Sequence, residues 1–164
     1  GRGMTPLGSG AVFAVLAAGY LLTSMRAPEL TIRYGRNVIL IGASIAAVAD
    51  LLLAAAVGHI GIGGSVGLLF PGLFLLGAGQ GLCITPLTTT VLGQARPETA
   101  GAVSGALSTI QQAGNAIGVA GIGVVFYAYA DRAPASAMEW TAITMAGTLA
   151  VVAVLTRMLP TVSR

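Results

Sequence analysis

Charge is what this 164-residue chain has least of. Only 8% of its residues are charged, and lysine is absent altogether. A water-facing domain usually carries about a quarter charged residues, so the chain has too few to cover a soluble surface. With 55% hydrophobic residues and a mean hydropathy of +0.90, it reads as an integral membrane protein. Cysteine occurs once, as Cys83 inside an apolar block, which excludes a disulfide framework. Histidine also occurs once, and His59 has no second His or Cys near it in sequence. A usable metal site needs several ligands, so neither metal nor cofactor is expected. The eight arginines are scattered between apolar blocks rather than gathered in a stripe; nucleic acid is therefore not an expected partner. An enzyme is not expected either, because Ser104 and Ser108 have no His or Lys in their span to activate them.

What the chain has is glycine, 24 residues of it with no collagen period, in apolar sequence of the kind that packs transmembrane helices closely. Five apolar blocks approach or exceed the roughly 20 residues that cross about 30 Å of hydrocarbon as a helix. They span about 6–25, 38–59, 66–92, 101–130 and 138–159. Helices are the expected form, since the alternation of a barrel strand is missing and open strands cannot satisfy their backbone in lipid. The expected fold is an all-α transmembrane domain of five helices. The connections are short and polar: RAPELTIRYGRN, GHIGIGGS, GQARPETA and DRAPASAME. Arg26, Arg33, Arg36, Arg96, Arg157 and Arg164 fall on one side and Arg2 and Arg132 on the other. That bias puts the first loop and the C-terminus in the cytoplasm and the N-terminus outside. Tyr127, Tyr129 and Trp140 then sit where an outer aromatic belt belongs. The opening Gly1-Arg2-Gly3 carries no signal peptide pattern, and the sequence reads as a piece of a longer protein.

Polar residues inside the blocks are the site candidates. At 100° per residue, Ser104, Ser108, Gln111 and Asn115 share one face of the fourth block, within about 60° of one another, and Gly118 and Ile122 continue the line. Such amides donate and accept, which suits the wall of a substrate cavity; the alternative is hydrogen bonding between helices. Gln112 points about 100° away, toward Gly101, Gly105 and Ala116, where packing is the better reading. Gln80 in the third block is read equally as cavity lining or as an interhelical bond. Gly77 and Gly81, four residues apart, read as a place for another helix to approach, as do Gly101, Gly105, Gly114 and Gly118. The GAGQG run follows no strand, so it is not a nucleotide loop. Pro86 removes one backbone bond from the third block, which is expected to kink there. Asp50 is the one carboxylate well inside a span. Its face carries Ala43, Ala46, Ala47 and Ala54, so it points at another helix. It is either a proton-coupling carboxylate or a protonated or paired structural one, and the structural reading is preferred.

These segments resemble a known family. RPETAGAVSGALSTIQQAGNAIGVAGIGVVF (96–126) resembles the penultimate helix of the fourteen-span drug/proton antiporter branch of the major facilitator superfamily. APELTIRYGRNVILIG (27–42) is similar to that family's cytoplasmic loop motif, with Arg33, Gly35 and Arg36 at its core. Thr31 and Ile32 stand where the motif's acidic residue would be. GAGQGLCITPLTTTVLG (77–93) is similar to a Gly-rich, Pro-ending helix of the same half.

The resemblance implies a second-half fragment of a major facilitator superfamily bundle, with its missing N-terminal half as partner. It implies small-molecule substrates and protons, alternating access, and a multi-pass protein of the bacterial cytoplasmic membrane. By the same analogy, the first, third and fourth blocks border the central cavity, while the second, with Asp50, and the fifth pack outside. A five-helix membrane scaffold that transports nothing, and an uptake porter of the same superfamily, are the alternatives.

Overall fold

The computed structural model describes residues 6–35, 37–60 and 65–130, together with Thr144 and Gly147. Four α-helices follow one another: α1 (Pro6–Tyr34), α2 (Asn37–Ile60), α3 (Phe70–Gly93) and α4 (Ala100–Ala130). A 3-10 turn (Val66–Leu69) leads into α3. The chain is a helical membrane protein, and among the described residues three stretches are long and apolar enough to cross a bilayer: Gly10–Tyr34, Asn37–His59 and Val66–Gly93. Apart from Thr144 and Gly147, the fifth apolar block lies outside the described residues, as does the side chain of Tyr129 and the whole of Trp140.

The first helix does not stop at Met25. It continues through most of the segment read as a loop, for 29 residues in all, or about 43 Å. Pro28 lies inside it and removes one backbone bond, a change that costs about 3 kcal/mol in an ordinary helix interior. Packing offsets that cost. Ala27 is fully buried and meets Val38 of α2 and Leu82 of α3, with Leu30 and Ile45 packed around them. The Thr31 hydroxyl donates to the Ala27 carbonyl at 2.7 Å. The stop signal is Gly35, whose φ of 56° is left-handed and whose N–H donates to the Thr31 carbonyl at 2.8 Å. A glycine in this conformation just past the last turn closes a helix and satisfies one of its orphan carbonyls.

Pro71 falls in the opening turn of α3, where its missing N–H has no partner to lose. Pro86 is inside α3 and fully buried, and the helix runs on past it to Gly93.

The layer order is α1, α3, α2. Both α1 and α2 lie along α3 and meet each other only slightly, although consecutive elements usually pack side by side. Leu16 and Tyr20 sit beside Gly77, and Tyr20, Thr23 and Ser24 beside Gly81, so α1 and α3 run parallel. Gly42 and Ala46 sit beside Gly79, and Ala49 and Leu53 beside Gly72, so α2 runs antiparallel to α3. The C-terminal end of α1, the start of α2, the end of α3 and the start of α4 therefore share one end of the bundle. That end carries Arg26, Arg33 and Arg96.

Glycine makes this sandwich close. Among lipid tails, apolar burial gives helices little reason to associate, and close backbone packing supplies it instead. A Cβ added at Gly79 would come within 2.7 Å of the Ala46 nitrogen and the Gly42 carbonyl oxygen. A Cβ added at Gly77 would collide with the Leu16 carbonyl. Two polar bonds join the layers. The Thr23 hydroxyl lies 3.0 Å from the Ala78 carbonyl across the α1–α3 seam, and the Cys83 thiol lies 3.4 Å from the Ile39 carbonyl across the α3–α2 seam.

Candidate functional site

Asp50 lies on the small-residue face of α2. Gly42, Ala43, Ala46, Ala49 and Asp50 are buried, while Ile41, Val48 and Leu52 are exposed. The asymmetry follows from the sequence: small residues let α2 settle on α3, and the branched residues stay outside. Asp50 itself is 8% exposed, the one buried charged side chain among the described residues. A carboxylate in that setting is stable only neutral, paired or in touch with a polar path.

On α3, Gly77 and Gly81 face α1 at close quarters, while Gln80, about 60–100° round the helix from them, is exposed. Four further glycines line these seams: Gly19 of α1, set against the Phe74 carbonyl, Gly42 of α2, and Gly72 and Gly79 of α3. Gly42 and Ala46 are four apart, as are Gly19 and Thr23. That small-xxx-small spacing is the pattern that marks them.

On α4, Ser104, Ser108, Gln111 and Asn115 form a continuous polar line, and all four are exposed. So is Gln112. So are the apolar residues of the opposite face, with Ile110 at 68% and Ile117 at 73% exposure. The helix meets the other described elements only through α3. Cβ atoms added at Gly101, Gly105, Gly114 and Gly118 would meet nothing within 4 Å. The Thr109 hydroxyl folds back to the Gly105 carbonyl at 2.9 Å, a local bond that leaves the polar line unencumbered. Gln80 and the line on α4 are thus accessible, whereas Asp50 is enclosed between helices.

Of the loop motif, Arg33 is at the exposed end of α1, with its guanidinium 5.5 Å from the Tyr34 ring centroid, and Gly35 is the helix cap; Arg36 is outside the described residues. Among the described residues no group of three or more His, Cys, Asp or Glu side chains is placed to hold a metal ion.

The chain is similar to the multidrug resistance protein Stp of Mycobacterium tuberculosis. It is 31% identical over 128 residues to the protein of strain CDC 1551 / Oshkosh and equally to that of strain ATCC 25618 / H37Rv. The match covers 78% of this chain and 23% of the relative, so the chain spans about a quarter of the length of the curated relatives it matches. No family model and no solved structure matches. The relationship is to a drug-transporter type of protein, in keeping with apolar helices that cross a membrane several times.

Proposed function

We propose that this chain forms the closing helices of a proton-coupled secondary transporter that exports drugs or other small molecules. The reading belongs to the fourteen-span drug/proton antiporter branch of the major facilitator superfamily. The observation that carries it is the match to a multidrug resistance protein over 78% of the chain. The split between a glycine-packed sandwich and an accessible polar helix supports it.

In this reading the whole transporter sits in the bacterial cytoplasmic membrane with the C-terminus inside. It works by rocking two helix bundles about a site near the midplane. The α1–α3–α2 sandwich moves as a rigid block. The line Ser104, Ser108, Gln111 and Asn115, with Gln80, lines the pathway between this block and the helices of the other half. Amides and hydroxyls donate and accept without a fixed charge, which suits substrates of varied structure. Gln112 and the glycines beside it, Gly101 and Gly105, pack against a neighbouring helix, as Gly114 and Gly118 do further along. Asp50, enclosed in the sandwich, is a site where a proton can reside if water reaches it from one side at a time.

The test is efflux from proteoliposomes by the full-length protein. Gln111→Ala and Asn115→Leu are expected to change which substrates are exported while membrane levels stay constant. If both only lower membrane levels, the line is a packing surface and the pathway reading is lost. Asp50→Asn separates the two readings of the carboxylate: undiminished proton-driven export removes it from coupling.

A further inference from the structure

The last turns of α1 carry three charged side chains that the transport reading does not use. Arg26, Glu29 and Arg33 fall within about 60° of arc on the helix. The arc lies about 100–180° round the helix from Tyr20 and Ala27, which pack toward α3, and Arg26 and Arg33 continue the line of Gly19 beyond the seam. All three are exposed. Glu29 sits between the arginines at spacings of three and four, where a carboxylate ordinarily pairs with its neighbours. Among the described residues no ion pair joins them. Arg33 instead lies over the Tyr34 ring. Stacking uses the flat face of a guanidinium and leaves its N–H edge free for an anion.

The depth of this face is set by length. In the apolar stretch that starts at Gly10, a span of roughly 20 residues ends near Glu29, and about 10 Å of helix separates Arg26 from Arg33. Leu22 and Met25, exposed just before Arg26, are at the level of acyl chains. The three charges are therefore at headgroup level, on a helix held against the bundle there by Ala27 and Leu30.

We propose that Arg26, Glu29 and Arg33 bind the headgroup of a primary-amine phospholipid, phosphatidylethanolamine. The arginine N–H groups donate to the phosphodiester, and the ammonium donates to the Glu29 carboxylate. A purely anionic headgroup meets repulsion from Glu29. A choline headgroup has no N–H to offer that carboxylate. Only a head that carries both a phosphate and an ammonium with hydrogens satisfies all three side chains, with its tails along Leu22 and Met25.

The test is native mass spectrometry of the purified protein released from nanodiscs of phosphatidylethanolamine, phosphatidylcholine and phosphatidylglycerol in equal parts. Phosphatidylethanolamine is expected to be retained over phosphatidylcholine by about fivefold, the effect of one exposed charge pair. Glu29→Gln is expected to bring that ratio to about one, in line with the same pair energy, while phosphatidylglycerol retention holds or rises. The double variant Arg26→Gln/Arg33→Gln is expected to lose both lipids. Equal retention of the two zwitterionic lipids by the unsubstituted protein overturns the proposal, as does a preference that survives Glu29→Gln. Soluble phosphoethanolamine is expected not to displace the lipid; displacement overturns the assignment to a membrane lipid in favour of a soluble ligand. None of these readouts involves transport, so the site stands or falls apart from the proposed function.

Discussion

The same residue means opposite things in two regions of this molecule. In α3 the glycines are in contact: an added methyl at Gly77, Gly79 or Gly81 would run into the backbone of α1 or α2. In α4 the glycines are just as frequent, and an added methyl at Gly101, Gly105, Gly114 or Gly118 would meet open space. Composition treats the two helices alike. Their difference lies in what each helix has beside it, and it teaches that glycine in a membrane helix records a demand for close approach without naming the partner. The sandwich meets that demand within the chain. For α4, the polar line and the glycines share one helix, and the transporter reading assigns both to contacts with the remainder of the protein.

The most damaging way to probe this contrast is to fill a glycine in each region. Gly79→Leu places a side chain where the Ala46 nitrogen and Gly42 carbonyl already stand. Backbone cannot swing aside as a flexible side chain can, and overpacking costs about 1–3 kcal/mol even where side chains adjust. The expected outcome is a drop of about tenfold or more in properly folded protein, measured as detergent-resistant monomer on fluorescence-detected gel filtration. Gly114→Leu is expected to leave that yield within about twofold, as surface substitutions away from special features do. Equal losses at both positions would show that α4 is as tightly covered in the whole protein as α3 is here.

How much of this was legible beforehand depended on where the signal was local. The membrane class and the second and third helices were legible because apolar length is a property of a single segment. The close approach at Gly77 and Gly81 has a spacing that can be read, as has its counterpart at Gly19 and Thr23; that the two meet cannot be read, because the α1–α3 pairing is not set by sequence proximity. The end of α1 is not where the apolar run ends. Arg26, Pro28, Glu29 and Arg33 look like a loop, yet a helix can leave the hydrocarbon and keep its bonds when one face, here Ala27 and Leu30, still has a neighbour to pack on. Gly35 carried the stop signal in plain view. The stripe on α4 could be read as a stripe. What it faces could not, because its opposite face is exposed as well, and amphipathicity without a partner does not fix a direction.

A milder probe asks which face of α4 meets water in the whole protein. Cysteines at Ser108 and Ile117, introduced singly in a background with Cys83 replaced by alanine, report through their rate of reaction with a membrane-impermeant maleimide. The reagent needs a thiolate, and a thiolate needs water. Ser108→Cys is expected to react about tenfold faster than Ile117→Cys if polar intramembrane residues face a hydrated interior. The same reagent on otherwise unaltered protein is expected to label Cys83 slowly, because that thiol is half-buried and directed at the Ile39 carbonyl. A faster rate at Ile117 than at Ser108 would reverse the assignment of the two faces and turn the amide line toward a packed helix.

The smallest expected effect compares two threonines that differ only in reach. Thr23 of α1 lies 3.0 Å from the Ala78 carbonyl on α3 and also 3.0 Å from its own Gly19 carbonyl. Its single proton can thus serve either helix. Thr109 of α4 bonds only the Gly105 carbonyl one turn back. Valine keeps the shape of threonine and removes the hydroxyl. A hydrogen bond between membrane helices averages about 0.6 kcal/mol, because the separated helices also find partners. Thr23→Val should therefore lower the folding equilibrium constant by about threefold, seen as a small shift in the midpoint of unfolding in sodium dodecyl sulfate. Thr109→Val should leave the midpoint unchanged or raise it, since back-bonding to the preceding turn slightly weakens a helix. A loss at Thr109 as large as that at Thr23 would mean that the α4 hydroxyl reaches a neighbour in the whole protein, and the contrast between the two regions would then be one of degree.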